Sequence, residues 1–239
     1  MDTTKYQRNS TKTVAHRGVS GLECENTAAA FIAAGQRSYF GIETDIHMTS
    51  DGYFVCCHDS NIKRVSGKNI IIEESTLAQL SEICLYECGT TETRGYLRVP
   101  MLTDYINICK KYGKHCVAEL KGKMTEKMLA EITSQFAAAD MLKNTTFIAF
   151  DFENLILIRK LLPQQKVQYL TDKINDEIIS LLASNRMDID VLYSALTEEN
   201  IKKLHKNGIE INCWTVDDKN TAELLSSQGV DQITSNILE

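Results

Sequence analysis

Eight short apolar segments with strand character recur along this chain, and a stretch with helical periodicity stands between nearly every pair of them. The strand segments are "KTVAH" (12–16), "GIETDI" (41–46), "HCVAEL" (115–120), "TTFIAF" (145–150), "KVQYL" (166–170), "DIDVLYS" (188–194), "IEINCWTV" (209–216) and "VDQITS" (230–235). A helix between two strands returns the chain to the end it left, so alternation of this kind implies parallel pairing. Eight units in 239 residues match a closed (β/α)8 barrel of the TIM type. An open doubly wound sheet is the competing arrangement. It is disfavoured because "HRGVSG" (16–21), after the first strand, lacks the Gly-rich phosphate fingerprint.

Helices are expected over 26–37 with Asn26 as N-cap, 102–113 closing on Gly113, and then 125–139, 152–162, 175–186, 197–207 and 218–228. One stretch breaks the rhythm. An extra strand at 53–58 leads into irregular sequence with a Ser-Gly turn at 66–67, a short helix near 76–83 and a polar loop ending at Pro100. We read 1–239 as a single barrel domain with an inserted segment at about 53–100 after the second strand.

Composition excludes several classes of function. The net charge is −6, with Lys and Arg scattered, so no basic footprint for nucleic acid exists. No apolar run approaches the ~18 residues of a membrane span, so no stable membrane insertion is expected. The opening "MDTTKYQRNSTKT" lacks the apolar core of a signal peptide. Several of the eight cysteines lie in apolar segments, as suits small hydrophobes in a reducing compartment, and a cytoplasmic location is expected. Cys84 and Cys88 are four apart but have no second pair to complete a zinc site.

Chemistry gathers at the strand ends. Side chains two apart on a strand project to the same face, so Glu43 and Asp45 point together, as do Glu119 and Lys121. In a parallel barrel the C-terminal strand ends surround one mouth, which would put three carboxylates in a small volume. A divalent cation is the economical way to keep all three ionised, and oxygen ligands indicate a hard ion, Mg²⁺ or Ca²⁺. A lone Glu-x-Asp is more often a solvated edge or half of a salt bridge; the second acidic strand shifts that balance. His16 and Arg17 end the first strand and His58 the extra one. A lone histidine is usually structural, but two imidazoles beside a cation site can serve as acid and base in either order. Arg17 and Lys121 supply positive charge for a phosphate. Together these groups suit hydrolysis of a phosphate ester.

The segments "AHRG" (15–18), "ENTAAAF" (25–31), "GIETDIHMTSDG" (41–52), "VCCHD" (55–59), "VAELKG" (117–122), "CWTVDD" (213–218) and "GVDQITSN" (229–236) resemble the glycerophosphodiester phosphodiesterase family in type and order. The resemblance implies a TIM-type barrel with an insertion after the second strand. It implies Glu43, Asp45 and Glu119 as divalent-metal ligands, His16 and His58 as general acid and base, and Arg17 and Lys121 as phosphate contacts. Trp214 resembles the aromatic lining the glycerol pocket. The implied reaction is attack on phosphorus by the substrate's own glycerol hydroxyl, followed by opening of the cyclic phosphate by water, giving glycerol 3-phosphate and an alcohol from substrates such as glycerophosphocholine or glycerophosphoethanolamine.

Cys24, Ala149 and Asn236 stand where that family often has proline, serine and aspartate, which bears on pocket details rather than on the ligand set. His115 and His205 read as surface residues, while His47 shares a strand face with Glu43 and Asp45. Two other functions compete. Lysophospholipase D-like cleavage would call for an apolar rim at the mouth, against which the polar 86–98 loop argues. A non-catalytic phosphodiester-binding barrel would be expected to have lost an acid-base group or a ligand, and here the set is complete.

Overall fold

Strict alternation along the strands separates two kinds of core. In the computed structural model, which describes residues 2–239, β1 (Lys12–Ala15), β2 (Gly41–Met48), β6 (His115–Leu120), β7 (Thr145–Ala149), β8 (Lys166–Thr171), β9 (Asp188–Leu192), β10 (Ile211–Trp214) and β11 (Gln232–Ser235) pair in parallel. The sheet closes through β1, which pairs with both β11 and β2. Among the described residues this is the expected eight-stranded barrel. Outward side chains such as Ile42, Ile46, Phe147, Ile189 and Ile211 are fully buried under the helices. Inward positions hold a small apolar plug of Val14, Val117, Ile148 and Leu170. Glu43 and Asp45 stand in register beside Val117 and Glu119 of β6.

The helices are α1 (Ala28–Gly35), α4 (Leu102–Tyr112), α5 (Glu126–Ala138), α6 (Phe152–Leu161), α7 (Asp176–Asn185), α8 (Glu198–Lys206) and α9 (Lys219–Ser227). Most begin at a side chain that accepts an otherwise unpaired backbone N–H: Thr125, Asp151, Asn175, Thr197 and Asp218. α1 corrects the sequence expectation. Its cap is Thr27, which accepts from the Ala30 N–H at 3.2 Å, and not Asn26. Each helix then lays an apolar stripe on the strands. On α5, for instance, Leu129, Ile132 and Phe136 are buried, and the Phe136 ring meets that of Phe147 edge-on at 5.2 Å. Each such buried side chain contributes ~1.5–3 kcal/mol.

The extra strand is present as β3 (Phe54–Cys56), antiparallel to the end of β2. Beyond it come α2 (Lys63–Ser66), α3 (Leu77–Ser81) and a hairpin of β4 (Leu85–Tyr86) and β5 (Thr93–Arg94). This stretch has its own small core, built on Val55, Ile62, Ile72, Leu80, Leu85 and Leu97. It stands beside the C-terminal end of β2 and so forms one wall of the barrel mouth. Among the described residues no helix is long and apolar enough to cross a membrane.

Candidate active site

Glu43, Asp45 and Glu119 come together at the C-terminal ends of β2 and β6, each with an oxygen within 4.8 Å of the others. Their side chains are held from several directions. Asn26, at φ 52°, donates its amide N–H to Asp45 Oδ2 at 2.8 Å and accepts the Thr44 hydroxyl at 2.6 Å. The backbone N–H of Arg17 donates to Glu43 Oε2 at 2.7 Å. Lys121 Nζ lies 2.9 Å from Glu119 Oε1 and 3.3 Å from Asp45 Oδ1, and Arg17 Nε lies 3.6 Å from Asp45 Oδ2.

Both strand-end histidines face the same space. The orientation of Asn236 follows from its neighbours: its amide N–H donates to Asp217 Oδ2 at 2.6 Å and its carbonyl accepts from Ser20 Oγ at 2.6 Å. The 2.7 Å contact between His16 Nδ1 and Asn236 Oδ1 is therefore an Nδ1–H donation, which leaves Nε2 as an acceptor. His58 Nδ1 donates to Asp59 Oδ1 at 2.7 Å. His58 sits two residues beyond β3, and its carbonyl faces His47 Nε2 at 3.2 Å. His47 is buried and bonds Glu73 Oε1 through Nδ1 at 2.6 Å, so it ties β2 to the stretch that carries His58.

A cavity of about 150 Å³ joins these groups. Its polar wall is His16, Arg17, Glu43, His58 and Glu119; its opposite wall is Ile148, Phe150, Leu170 and Trp214. The Trp214 ring packs edge-on against Phe150 at 5.9 Å, and its indole N–H donates to the Asp190 carbonyl at 3.3 Å. A larger open groove of about 450 Å³ lies at the opposite end of the barrel, by Leu142, Pro163 and Lys166. Its titratable groups are two lysines, Lys143 and Lys166, so the smaller cavity is the one that holds acid-base chemistry.

The profile described as the glycerophosphoryl diester phosphodiesterase family matches residues 16–238. The chain belongs to that family. A glycerophosphodiester phosphodiesterase of Bacillus subtilis is 25% identical over 94% of this chain and 83% of its own length. A lysophospholipase D of Mus musculus is 30% identical over 80% of this chain and 54% of its own. In structure the chain is similar to a phosphodiesterase of Oleispira antarctica solved with the product sn-glycerol-3-phosphate, with a TM-score of 0.88 at 22% identity over 98% and 96% of the two chains.

In this phosphodiesterase the three carboxylates are not equivalent. Burial, and then the Asp45 charge, pushes Glu43 well above the ordinary carboxylate range. Burial and Asp45 push Glu119 up to about 7 in spite of Lys121. Burial also works against Asp45, but Lys121 and Arg17 outweigh it and hold that group below its ordinary value. Two cations thus satisfy one carboxylate and leave two that resist ionising. Asp45 Oδ1 is buried without a hydrogen bond, and the donors are all carboxylate oxygens. This set fits a hard divalent cation. Burial and the adjacent Arg17 lower His16 to about 4, so its ring is neutral at physiological pH. Burial, with Arg17 and Lys121, lowers His58 too, while the Asp45 and Asp59 carboxylates oppose the shift.

Some participants escape a reading of the sequence. His115 is half-buried rather than freely exposed: it stacks on Phe40 at 4.9 Å and bonds Thr146 Oγ1 at 2.8 Å, at the barrel end away from the site. His205 is exposed and pairs with Asp231 at 2.9 Å. Asp190 is 2% exposed and lines the cavity floor, as the parity of β9 could have shown. Asn236, by contrast, lies just past the end of β11, and Arg64 sits on the four-residue α2, an element too short for periodicity to mark it.

Proposed function

We propose that this chain hydrolyses glycerophosphodiesters, of which glycerophosphocholine and glycerophosphoethanolamine are the type, to glycerol 3-phosphate and a free alcohol. The observation that carries this reading is the convergence at one barrel mouth of three carboxylates, two oriented imidazoles and two cationic side chains, with His16, Arg17, Glu43, His58 and Glu119 lining the cavity and Asp45 and Lys121 packed directly behind them. In it Glu43, Asp45 and Glu119 hold Mg²⁺ or Ca²⁺. Such an ion, when bound, supplies positive charge for a phosphoryl oxygen and keeps the carboxylates ionised. Arg17 and Lys121 add the charge that binds and orients the phosphate. His16, neutral and with Nε2 free, takes the proton of the attacking hydroxyl. His58, backed by the Asp59 carboxylate, is the better placed of the two to give a proton to the departing oxygen. Trp214, with Phe150 against it, packs on the carbon face of the glycerol moiety.

Residues 1–239 act in this reading as one domain, the stretch at 53–100 being an insertion that brings His58 to the barrel. All eight cysteines are free, which supports work in a reducing, cytoplasmic compartment. The test is release of glycerol 3-phosphate from glycerophosphocholine by purified protein with Mg²⁺ or Ca²⁺, with chelator as control. Release that requires a cation supports the reading; no release with either ion overturns it.

One observation favours a second substrate class. Phe150 is 50% exposed on the apolar wall of the cavity, where an acyl chain could lie. Lysophosphatidylcholine in the same assay, read as choline release, decides between the two: faster turnover of the lysolipid would make this a lysophospholipase D.

A further inference from the structure

Arg64 belongs to neither the cavity nor the acidic cluster, yet one guanidinium links both sides of the site. It projects from α2, which rests on the buried Ile62 and Ser66, the latter bonded through its hydroxyl to the Ile62 carbonyl at 2.8 Å. Arg64 Nε donates to Asp59 Oδ2 at 2.6 Å, while Nη1 and Nη2 donate to Glu25 Oε2 and Oε1 at 2.7 and 2.8 Å. Each carboxylate has a second partner that does face the cavity. Asp59 Oδ1 accepts from His58 Nδ1 at 2.7 Å, and Glu25 Oε1 accepts from Arg17 Nη1 at 2.9 Å.

We infer that Arg64 is a positioning residue that sets the imidazole of His58 and the guanidinium of Arg17 relative to one another, so that the segment after β3 orients the acid-base and phosphate-binding groups of one site. Geometry requires an arginine for this. The planar fork meets Glu25 with two nitrogens and Asp59 with the third, whereas an ammonium is a point charge that cannot hold two carboxylates in fixed directions. The Arg64 side chain is 49% exposed, so its ion pairs add little to folding stability. What it supplies is direction: without it Asp59 can turn away from His58 Nδ1, and Glu25 can turn away from Arg17.

The inference rests on the phosphodiesterase reading of His58 and Arg17, and its test separates the two. Turnover of glycerophosphocholine by the wild-type protein tests the function alone. The Nδ1–H resonance of His58 in ¹⁵N-edited spectra tests Arg64 without turnover. Arg64→Ala should lower kcat on the order of 10- to 100-fold, with an unchanged melting temperature and loss or shift of the His58 Nδ1–H signal. Millimolar guanidinium should restore part of the activity to Arg64→Ala, and Arg64→Lys should remain impaired. An unmoved His58 resonance in both variants overturns the inference, as does an unchanged kcat in an active enzyme. A loss of kcat that guanidinium cannot relieve, with the His58 signal intact, overturns it as well.

Discussion

Asn26 decides how Asp45 presents itself. Its amide fixes Oδ2 at 2.8 Å, which turns Oδ1 toward Lys121 and the space shared with Glu43 and Glu119. A carboxylate so held cannot swing away, and Glu43, pushed up by burial and by Asp45, has nowhere to put its charge without a cation. Glu43→Gln should therefore weaken binding of Mg²⁺ or Ca²⁺ by at least ~100-fold, with loss of activity in parallel; unchanged binding by titration calorimetry would remove Glu43 as a ligand. His58→Ala separates chemistry from cation binding. It should lower kcat by ~10²–10⁴-fold with the calorimetric affinity intact, and near-normal turnover would take His58 out of the mechanism. At this scale the sequence reveals what periodicity controls. That Glu43 and Asp45 face inward together follows from strand alternation alone, and the same parity applies to Glu119. Asn26 misleads because asparagine is good both at helix caps and in left-handed backbone, and only the packed loop shows which property is in use.

The loop between β1 and α1 turns a strand end into a working edge. Arg17 and Gly18 are both at positive φ, 53° and 76°, and this turn aims the Arg17 N–H at Glu43. A Cβ on Gly18 would stand 2.6 Å from Ala30 Cβ and 2.7 Å from the Ala30 carbonyl carbon. α1 is thus pressed against the turn that carries Arg17, and neither can shift alone. Gly52, in the turn between β2 and β3, has φ 87° with nothing within 4 Å of the added carbon, so it serves as a control for backbone strain alone. Gly52→Ala should cost ~1 kcal/mol and leave turnover unchanged. Gly18→Ala should cost ~2–4 kcal/mol and lower kcat. Thermal melts of the pair with paired activity assays check this, and equal costs would show that the Ala30 contact does not matter. The strands and long helices were legible because each repeats a period over many residues. In the stretch from 53 to 100 the sequence shows the extra strand and the short helix near 76–83 but not α2 or the β4–β5 hairpin, since these elements span two to four residues and the small core there gathers residues as far apart in sequence as Ile62 and Leu97.

The barrel as a whole separates its chemistry from its stability, and the two ends can be perturbed independently. The apolar plug of Val14, Val117, Ile148 and Leu170 lies between the carboxylate mouth and the closed end. At the closed end Asp188, the first residue of β9, accepts the backbone N–H of Glu210 at 2.9 Å. Burial pushes its carboxyl up to about 6, with Glu210 and Asp231 adding to the shift and Lys166 opposing it. The sign of the consequence follows from linkage. An unfolded aspartate releases its proton near its ordinary value of 3.8, whereas the folded chain keeps it until about pH 6. Over that interval the unfolded state binds fewer protons, so folding stability falls as pH rises, and the loss is complete above the folded value. Asp188→Asn keeps an oxygen to accept the Glu210 N–H but cannot ionise. The variant should be more stable than its parent above pH 6, on the order of 2 kcal/mol or a few degrees in melting temperature. The advantage should fade as pH falls through the interval and vanish below about pH 4. Activity should be unaffected, because the substitution lies across the plug from the acidic cluster. Melting temperatures of both proteins across pH at one fixed cation concentration make the comparison, since any change in cation binding is common to the two. A stability difference that stays constant with pH would show that Asp188 already ionises in the folded barrel, with Lys166 rather than burial setting its charge.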